Sequence, residues 1–537
     1  MNPAPDVDAV IVGAGFSGLY MLHRARDVLG LSARVFEAGE GPGGTWYWNR
    51  YPGARCDSES FIYSYSFSEE LEQEWVWSSK YPEQPEILRY LEHVADRFDL
   101  RRDIRFGTRV TRAELRGDDC WEVHTDDGHV VTCRFFITAV GCLSAANVPD
   151  IKGLESFGGA WHHTGAWPRD GVDFAGKRVA VIGTGSTGIQ AIPVIAAQTE
   201  QLYVFQRTPN YSVPARNAPL TPEQARDIKA DYPAIRAKSR ASFAGFPYEA
   251  SGQSAMEVSA EERHQTYERL WNEAGGFKFM YGSYNDLLFD KKANDTAADF
   301  IRGQIRTIVD DPEVAEKLAP KDYPYGTKRP PIDTDYYMTF NRSNVTLIDL
   351  RKTPIVEATT AGLRTTDVDY DVDIIVFATG FDAMTGSLLK MDIRGRNSLT
   401  LEEKWAAGPL TYLGLFVAGF PNMFTITGPG SPSVLSNMPV AIEQHVEWIA
   451  DCITYMRERR LSAVEATEAA EQRWGEHVHA VAEATLFPQA NSWYLGANIE
   501  GKQRVFMPYV GGFGRYRERC ADVAASGYPG LVMSSPA

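Results

Sequence analysis

Residues 9–18 read Ala9-Val-Ile-Val-Gly-Ala-Gly-Phe-Ser-Gly18, an apolar run that ends in three glycines spaced G-x-G-x-x-G. The run predicts a buried strand, and the pattern that begins at Leu19 predicts a helix. Gly13, Gly15 and Gly18 allow a tight turn whose backbone can approach a pyrophosphate, and the N–H groups and dipole at a helix N-terminus favour that anion. The stretch therefore predicts the first turn of a dinucleotide-binding unit.

An acidic residue follows at the spacing that such a unit requires. A second predicted strand, Ala33-Arg-Val-Phe-Glu37, ends in Glu37, 19 residues after Gly18. A carboxylate at this place can bind the two free hydroxyls of a ribose. A glycine turn that arose by chance is the alternative, and the complete order of strand, turn, helix, strand and acid argues against it.

A second copy of the pattern begins about 170 residues later, in Arg178-Val-Ala-Val-Ile-Gly-Thr-Gly-Ser-Thr-Gly188. Its next predicted strand leads into Arg207 in place of an acid. A guanidinium suits the 2′-phosphate of NADP. The contrast predicts FAD at the first site and NADPH at the second, an arrangement that passes a hydride from nicotinamide to flavin. A surface arginine without a ligand is the alternative interpretation of Arg207.

Composition limits the classes of function. The chain has 537 residues, a formal net charge of −16 at pH 7, 44% hydrophobic and 23% charged residues. This length predicts two or more domains, and the negative charge argues against a nucleic acid partner. The six cysteines form no C-x-x-C pair, which disfavours a disulfide scaffold, a zinc site and a dithiol reductase. We therefore expect no metal site.

The sequence predicts neither a signal peptide nor a membrane span. Its first eight residues have no basic region of the kind that opens a signal peptide. No stretch approaches the roughly 18 uncharged apolar residues of a membrane span. We expect a soluble cytoplasmic protein without a membrane partner.

The order of these motifs predicts an α/β fold with two Rossmann-like dinucleotide-binding domains, one for FAD and one for NADP. Residues from about 220 to 320 are charge-rich and helix-forming, as in Ala260–Arg269, which predicts a helical insertion in the NADP domain. A predicted strand before Gly380 returns the chain to the FAD domain. The expected ranges are 1–142 and 381–537 for the FAD domain, 143–219 and 333–380 for the NADP domain, and 220–332 for the insertion.

Between the two glycine motifs lies a third pattern, Phe157-Gly-Gly-Ala-Trp-His-His-Thr-Gly-Ala-Trp167-Pro168. It fits F-x-G-x-x-x-H-x-x-x-W-P and resembles the fingerprint of Baeyer–Villiger monooxygenases. The residue after the proline is Arg169, whereas the family often has an acidic residue or histidine there, so only local contacts are in doubt. His163 invites the role of a general base, but the fingerprint resembles a linker that couples domain motion to cofactor position, and we interpret His163 as structural.

Three more segments resemble this family, so the resemblance spans nearly the whole chain. Residues Gly43–Asp57 resemble its second signature, Tyr325-Gly-Thr-Lys-Arg329-Pro resembles its active-site arginine segment, and Ser492–Asn498 contains the matching Trp493. The segments Asn49–Asp57 and Gly428–Met438 resemble most the phenylacetone, steroid and cyclohexanone monooxygenase branch. The aromatic cluster Trp46 to Trp48 could be ordinary core.

The resemblance implies an FAD-containing enzyme that uses NADPH and O2 to convert ketones to esters or lactones through a C4a-peroxyflavin and a Criegee intermediate. Arg329 would stabilise the anionic intermediates, since arginine keeps its charge at any working pH. Asp57 would hold Arg329, with a plain structural ion pair as the alternative.

The resemblance and the glycine motifs together imply two sets of cofactor-binding residues. Expected at FAD are Gly13, Gly15, Ser17, Gly18, Glu37, Thr45, Trp46, Asp57, Tyr63, Val110 and Met438. Expected at NADP are Gly183, Thr184, Gly185, Ser186, Thr187, Gly188, Gln190, Arg207, Thr208, Lys328, Arg329 and Trp493.

Three rival functions share parts of this pattern. A related flavin monooxygenase would oxidise sulfides or amines, and the fingerprint and Arg329 argue against that as the main role. A disulfide reductase needs a redox cysteine pair, and a flavin-binding sensor has no need of the Arg329 and Asp57 segments. We expect a small-molecule ketone and O2 as partners, and a monomer or weak homo-oligomer.

Overall fold

The fold is described from a computed structural model for residues 4–117, 119–249 and 251–535. In chain order the strands are β1 Val7–Val12, β2 Ala33–Phe36, β3 Ile104–Arg105, β4 Val110–Leu115, β5 Trp121–Thr125, β6 Val130–Thr138, β7 Ala160–His163, β8 Arg178–Ile182, β9 Gln201–Gln206, β10 Val213–Pro214, β11 Ile332–Asp333, β12 Val345–Asp349, β13 Ile355–Ala358, β14 Gly362–Thr365, β15 Asp369–Asp371, β16 Ile374–Phe377, β17 Asp392–Arg394, β18 Met423–Thr425, β19 Ala463–Ala466 and β20 Leu531–Ser534.

The α-helices, in the same order, are α1 Phe16–His23, α2 Thr45–Trp48, α3 Glu69–Glu74, α4 Gln84–Arg97, α5 Ser186–Ala196, α6 Pro222–Ala241, α7 Ala260–Arg269, α8 Lys278–Tyr281, α9 Lys291–Ile308, α10 Pro312–Leu318, α11 Tyr336–Thr339, α12 Gly386–Leu389, α13 Leu401–Lys404, α14 Met438–Glu458, α15 Glu468–Glu483 and α16 Phe513–Ala525. Short π-helical and 3-10 turns join several of them.

The first sheet has the order β17-β4-β5-β6-β1-β2-β3, and β18 pairs with β6. Strands β1, β2, β3, β6 and β18 run parallel, whereas β5 pairs antiparallel with β4 and β6. The central strand β1 is apolar because it is covered on both faces, as parallel strands usually are. The turn after β1, with its three glycines, therefore lies at the carboxyl edge of the sheet, where α/β proteins bind their ligands.

The second sheet has the order β12-β9-β8-β16-β7, and every neighbouring pair in it is parallel. Strand β8 leads into the second glycine turn, and β9 leads to Arg207. Both predicted β-α-β units are therefore present, each in its own sheet. The four predicted domain boundaries stay predictions.

Helices α6 to α10 occupy most of residues 222–318. Helix α6 begins at Pro222 with a capping box in which the side chains of Thr221 and Gln224 bind each other's backbone N–H groups, an arrangement that satisfies two otherwise unpaired donors. Helix α9 buries one apolar face, including Ala297, Ile301 and Ile305. The apolar faces of these helices pack against the second sheet and the carboxyl-terminal segment.

Two large apolar cores hold these layers together. One contains Ile192, Phe279 and Phe506 and joins the second sheet to the helices and the carboxyl-terminal segment. The other contains Leu19 and Ile449 and joins the first sheet to α14. In the described part of the chain we find no helix with the length and apolar character of a membrane span.

Candidate active site

The first glycine turn is shaped so that side chains are excluded from it. Gly13 has φ +102°, and a Cβ atom there would lie 2.7 Å from the carbonyl oxygen of Ala139. A Cβ atom on Gly18 would overlap the carbonyl oxygen of Gly13, while one on Gly15 would lie 3.3 Å from the Cα of Gly44. Gly15 precedes α1, whose first residues include the buried Ser17. Bare backbone therefore surrounds this helix N-terminus.

Glu37 lies at the end of β2 beside the same turn. Its Oε2 accepts a hydrogen bond from the N–H of Ala14 at 2.7 Å, and its Oε1 accepts one from Gly39 at 2.7 Å. Burial raises the pKa of this carboxyl, and the two N–H donors act against that shift. The carboxylate is thus positioned within the first turn, where the sequence places a ribose-binding acid.

The second glycine turn repeats this geometry with one informative difference. Gly183 has φ +109°, and a Cβ atom on Gly188 would overlap the carbonyl oxygen of Gly183. Gly185 has φ −80°, and nothing lies within 4 Å of the place its Cβ atom would take. Empty space therefore lies in front of the N-terminus of α5, on the side where a pyrophosphate would approach. Both turns fit a dinucleotide, FAD at the first and NADP at the second.

The remaining residues expected at FAD come from four separate segments. Trp46 Nε1 donates to the hydroxyl of Tyr63 at 3.2 Å, and the two rings pack edge to face. Asn437 Nδ2 donates to the carbonyl of Ile62 at 2.7 Å, which places Met438, the first residue of α14, beside the Tyr63 segment. These contacts bring Trp46, Tyr63 and Met438 together.

Two other residues expected at FAD lie at the edges of this group. The N–H of Thr108 donates to the carbonyl of Glu37 at 2.9 Å, so the start of β4 with the buried Val110 lies beside the ribose-binding acid. Thr45 is exposed at the first position of α2. The structure therefore places all the residues expected at FAD around the first turn, except Asp57, which lies with Arg329.

Several of the residues expected at NADP lie around the second turn. Thr184 Oγ1 donates to the carbonyl of Thr208 at 3.1 Å, which holds the end of the segment with Arg207 against the turn. Burial lowers the pKa of Lys328 to about 8, and the positive charge of Arg207 adds to that shift, so the two cations are neighbours. A pair of neighbouring cations is what a phosphate dianion requires.

Gln190 joins the two cofactor regions. Its Oε1 accepts a hydrogen bond from the Tyr51 hydroxyl at 2.8 Å, and its Nε2 donates to the carbonyl of Arg55 at 3.1 Å. Ser186 and Thr187 are the first two residues of the same helix, α5. The segment from Tyr51 to Asp57, which belongs in sequence to the FAD region, is thereby anchored on the NADP-side helix.

Arg329 and Asp57 form a two-pronged ion pair in the wall of an apolar chamber. Arg329 Nε donates to Asp57 Oδ2 at 2.6 Å, and Nη2 donates to Oδ1 at 2.8 Å. Nη1 donates to the carbonyl of Val434 at 2.7 Å, and the guanidinium lies 4.8 Å from the centre of the Phe277 ring. Burial acts to lower the pKa of Arg329, but the charge of Asp57 and its hydrogen bonds raise that pKa well above the ordinary value. The guanidinium is therefore protonated at every working pH.

A small, mostly apolar space lies next to Arg329. We call it the arginine chamber. Its other walls carry no charge, and they include Phe246, Phe277, Met280, Tyr281, Val434 and Tyr494. A fixed cation in an apolar environment stabilises a negatively charged species far more strongly than the same cation does in water.

Comparison with known proteins identifies the family. A family model for the pyridine nucleotide-disulphide oxidoreductases matches residues 10–277. A Baeyer–Villiger monooxygenase of Pseudooceanicola batsensis is 46% identical over 534 residues, which are 99% of this chain and 97% of the relative. The chain belongs to the Baeyer–Villiger monooxygenase family. A phenazine N-monooxygenase of Lysobacter antibioticus is 43% identical over 99% of this chain and 98% of its own length.

Solved structures agree with this assignment. An oxidised steroid monooxygenase bound to NADP has a TM-score of 0.94 and 56% identity, covering 98% of this chain and 99% of its own. The OTEMO complex with FAD and NADP has a TM-score of 0.95 and 44% identity, covering 99% and 100%. The predicted fold class, the family and the cofactor pair of FAD and NADP are thereby confirmed for this monooxygenase.

In this monooxygenase His163 makes the contacts of a structural residue. It is 4% exposed, and its Nδ1 accepts a hydrogen bond from the N–H of Gly165 at 3.0 Å. Burial lowers its pKa, which keeps the ring neutral. Arg169, the departure from the family pattern, pairs with Glu40 at 2.6 Å and donates to the Tyr47 hydroxyl. It ties the fingerprint to the segment that follows the first turn.

Sequence reasoning missed several residues that surround Arg329. Phe277, Tyr281 and Tyr494 were not expected at the site, although Tyr494 directly follows Trp493 and their rings lie 4.3 Å apart. Aromatic residues in helical, apolar segments look like ordinary core, so no local signal marked Phe277 or Tyr281. The position of Tyr494 next to the predicted Trp493 was the one signal in the sequence that pointed to any of these three residues.

Proposed function

We propose that this monooxygenase converts ketones to esters or lactones with NADPH and O2. The balanced reaction takes one ketone, one O2, one NADPH and one proton to one ester or lactone, NADP⁺ and water. The observation that carries the proposal is the partly buried Arg329, held by Asp57 in the wall of a space whose other walls carry no charge. Bound FAD, once reduced by NADPH, supplies the activation of O2.

Arg329 provides the positive charge for oxygen atoms that become negative during the reaction. A guanidinium has five N–H donors, and three of them are directed to Asp57 and Val434. Of the two that remain, one interacts with the Tyr494 hydroxyl, and the other can bind the carbonyl oxygen of a ketone in the arginine chamber. Because the cation is already oriented, the site needs little reorganisation as negative charge develops.

Asp57 positions that cation. Its two oxygens hold Nε and Nη2 in one plane, which leaves the free donors of Arg329 directed away from Asp57. The segment that carries Asp57 is anchored at Tyr51 on Gln190 of α5. Through this anchor, we infer, the nucleotide bound at α5 influences the placement of Asp57 and Arg329.

We assign the cofactor contacts as the sequence predicts them. FAD is held by Gly13, Gly15, Ser17, Gly18, Glu37, Thr45, Trp46, Asp57, Tyr63, Val110 and Met438. NADPH is held by Gly183, Thr184, Gly185, Ser186, Thr187, Gly188, Gln190, Arg207, Thr208, Lys328, Arg329 and Trp493. The two glycine turns and the neighbouring cations Arg207 and Lys328 support this assignment. We further propose a cytoplasmic monomer or weak homo-oligomer, in keeping with the buried thiols of Cys56, Cys133, Cys142, Cys452 and Cys520.

The test compares wild type with Arg329→Ala in O2 uptake, NADPH oxidation and ester formation from phenylacetone and cyclohexanone. We expect ester from wild type, and none from the variant although its flavin is still reduced by NADPH. Arg226→Ala, at an exposed position of α6, is the matched control and should behave as wild type. Ester formation at the wild-type rate in Arg329→Ala would overturn the role of Arg329.

A second function, oxidation of nitrogen or sulfur, is favoured by the 43% identity with a phenazine N-monooxygenase. The same assay with an aromatic N-heterocycle, an amine and a sulfide distinguishes the two. If wild type oxygenates only these compounds and forms no ester from any ketone, the second function replaces the first.

A further inference from the structure

A buried carboxylate that the proposed reaction does not use lies two residues after Asp57. Glu59 is 5% exposed, and its Oε2 accepts a hydrogen bond from the Tyr248 hydroxyl at 2.6 Å. The ammonium nitrogen of Lys80 lies 4.0 Å from its Oε1. Burial raises the pKa of Glu59, whereas Tyr248 and Lys80 act to lower it. Since a buried charge is kept only with partners of this kind, the three side chains form one polar unit, which we call the Glu59 cluster.

Tyr248 connects this cluster to the wall of the arginine chamber. Its ring stacks on that of Phe246, with the ring centres 5.2 Å apart and 2° between the planes. Phe246 packs against Phe277 at 5.3 Å, and Phe277 is the ring that lies 4.8 Å from the guanidinium of Arg329. Tyr248 and Phe246 belong to the segment that follows α6. The hydrogen bond from Tyr248 therefore joins this aromatic wall to the segment that carries Asp57.

Lys80 connects the same two parts of the site by a second route. Its Nζ donates to the carbonyl of Ala274 at 2.8 Å, and its own carbonyl accepts a hydrogen bond from the N–H of Ser60 at 2.8 Å. Ala274 lies three positions before Phe277, and Ser60 lies three positions after Asp57. The ring beneath the guanidinium and the carboxylate beside it are thereby tied to each other through Lys80.

We propose that Glu59 is a positioning residue for Arg329. The cluster fixes the distance between the Asp57 carboxylate, which holds the guanidinium, and the rings of Phe246 and Phe277, which form the wall against which it lies. Because the site works by keeping a cation already oriented, a shift of these neighbours lowers the rate of oxygen transfer even though Glu59 does not touch the substrate. This inference rests on the proposed function, because its effect is read in ester formation.

The test measures ester formed per NADPH oxidised, and kcat for ester per bound flavin, with phenylacetone and cyclohexanone. Tyr248→Phe removes the hydroxyl but keeps the ring on Phe246, and Glu59→Ala removes its acceptor. Each should lower kcat for ester by roughly tenfold, with the missing oxygen found as H2O2. Flavin reduction by NADPH without O2 and KM for NADPH should stay near wild type.

Two further variants separate positioning from a general loss of structure. Glu59→Gln keeps the shape and an acceptor for Tyr248, so it should recover most of the ester that Glu59→Ala loses. The double variant Glu59→Ala with Tyr248→Phe should lose no more than Glu59→Ala by itself, because both changes break the same hydrogen bond. Additive losses in the double variant would contradict a role that acts through this bond.

The matched controls lie in other parts of the molecule. Glu471 is 2% exposed and lies 2.8 Å from the ammonium nitrogen of Lys404, so Glu471→Ala also breaks a buried pair. It should lower thermal stability as Glu59→Ala does but leave the ratio of ester to NADPH unchanged. Tyr267→Phe removes a hydroxyl that is bonded to Thr296 at 2.8 Å and should leave the ratio unchanged as well.

The outcomes distinguish this inference from the function on which it rests. If esters form but Tyr248→Phe and Glu59→Ala both keep the wild-type ratio of ester to NADPH, Glu59 does not position Arg329 and the proposed function stands. An equal loss in Glu471→Ala would overturn the inference too, because any broken buried pair would then have this effect. If Glu59→Ala does not retain flavin, Tyr248→Phe decides by itself, since it removes a single oxygen atom. If wild type forms no ester from any ketone, the proposed function fails and this inference falls with it.

Discussion

Arg329 and Asp57 lie 272 residues apart in the chain, yet two hydrogen bonds of 2.6 and 2.8 Å join their side chains. Their paired charges are partly buried, with 24% and 21% of the side chains exposed. Breaking a buried pair leaves an uncompensated charge, so each partner depends on the other for its position.

Asp57→Asn should therefore reduce ester formation without abolishing the first half of the reaction. The amide keeps the shape but loses the charge and one of the two acceptors, so Arg329 can turn away, and a displaced group of this kind costs roughly a hundredfold in rate. Stopped-flow reduction of the flavin by NADPH without O2 should stay near the wild-type rate, while kcat for ester falls. Asp299→Asn, at a carboxylate that is 72% exposed and pairs with Arg302, should change neither. Equal losses in both half-reactions would contradict a positioning role.

Gly185→Ala should weaken NADPH binding while the protein folds normally. Nothing lies within 4 Å of the added methyl group, and φ at this residue is −80°, so the folded chain tolerates alanine. The methyl occupies the space in front of α5 that the pyrophosphate needs, and KM for NADPH should rise by roughly tenfold or more. FAD content and thermal stability should equal those of wild type.

Gly303→Ala is the matched control for that change. Gly303 lies in α9 with nothing within 4 Å of its would-be Cβ atom, and alanine in a helix is about 1 kcal/mol more favourable than glycine. This variant should be as stable as wild type or more so, with an unchanged KM for NADPH. If Gly185→Ala also leaves KM unchanged, the second turn does not hold the pyrophosphate.

Binding of NADPH should weaken above pH 8. The pKa of Lys328 is lowered to about 8 by burial and by Arg207, so this ammonium is charged below pH 8 and loses its charge as the pH rises further. Since kcat/KM reports groups of the free enzyme, kcat/KM for NADPH should fall above pH 8 by up to about tenfold per unit. Lys328→Met should lower the value at pH 7 and remove this decline, whereas the exposed Lys352→Met should keep it. A decline that persists in Lys328→Met belongs to another group.

Glu443 should make the folded state less stable as the pH rises from 4.5 to 7. This carboxyl on α14 accepts hydrogen bonds from the N–H and hydroxyl of Ser66, but burial raises its pKa from 4.5 to about 7, and Arg236 and Ser66 only partly oppose that shift. Because the folded protein binds this proton more tightly than the unfolded chain, its contribution is complete below pH 4.5 and is lost as the pH approaches 7.

The size of that loss is about 3 kcal/mol, at about 1.36 kcal/mol for each pKa unit. Urea unfolding between pH 5 and 8 measures it, with Glu443→Gln expected to flatten the dependence of the free energy of unfolding on pH. The exposed Glu483→Gln serves as control. Identical slopes in wild type and Glu443→Gln would show that another group titrates.

The family and the two cofactor sites could be predicted from the sequence because the motifs that mark them are short and continuous. In Gly13 to Glu37, and again in Gly183 to Arg207, the strand, the turn and the charged residue lie within about 25 residues, so spacing alone predicts their geometry. The glycines are needed because a Cβ atom at Gly18 or Gly188 would overlap backbone. Arg329 and Asp57 could be named by resemblance to family motifs.

The shape of the reaction site depended on contacts between distant segments. The hydrogen bonds from Arg329 to Asp57 and Val434, the ring of Phe277 beneath the guanidinium, and the anchor of Tyr51 on Gln190 each join residues more than 50 positions apart. The same holds for the arginine chamber, whose walls combine residues of the segment 222–318 with residues of the carboxyl-terminal segment. Local sequence therefore determined which cofactors and which charged residues this monooxygenase uses. Only tertiary packing decided what surrounds Arg329, because a cavity is bounded by side chains whose proximity no spacing along the chain encodes.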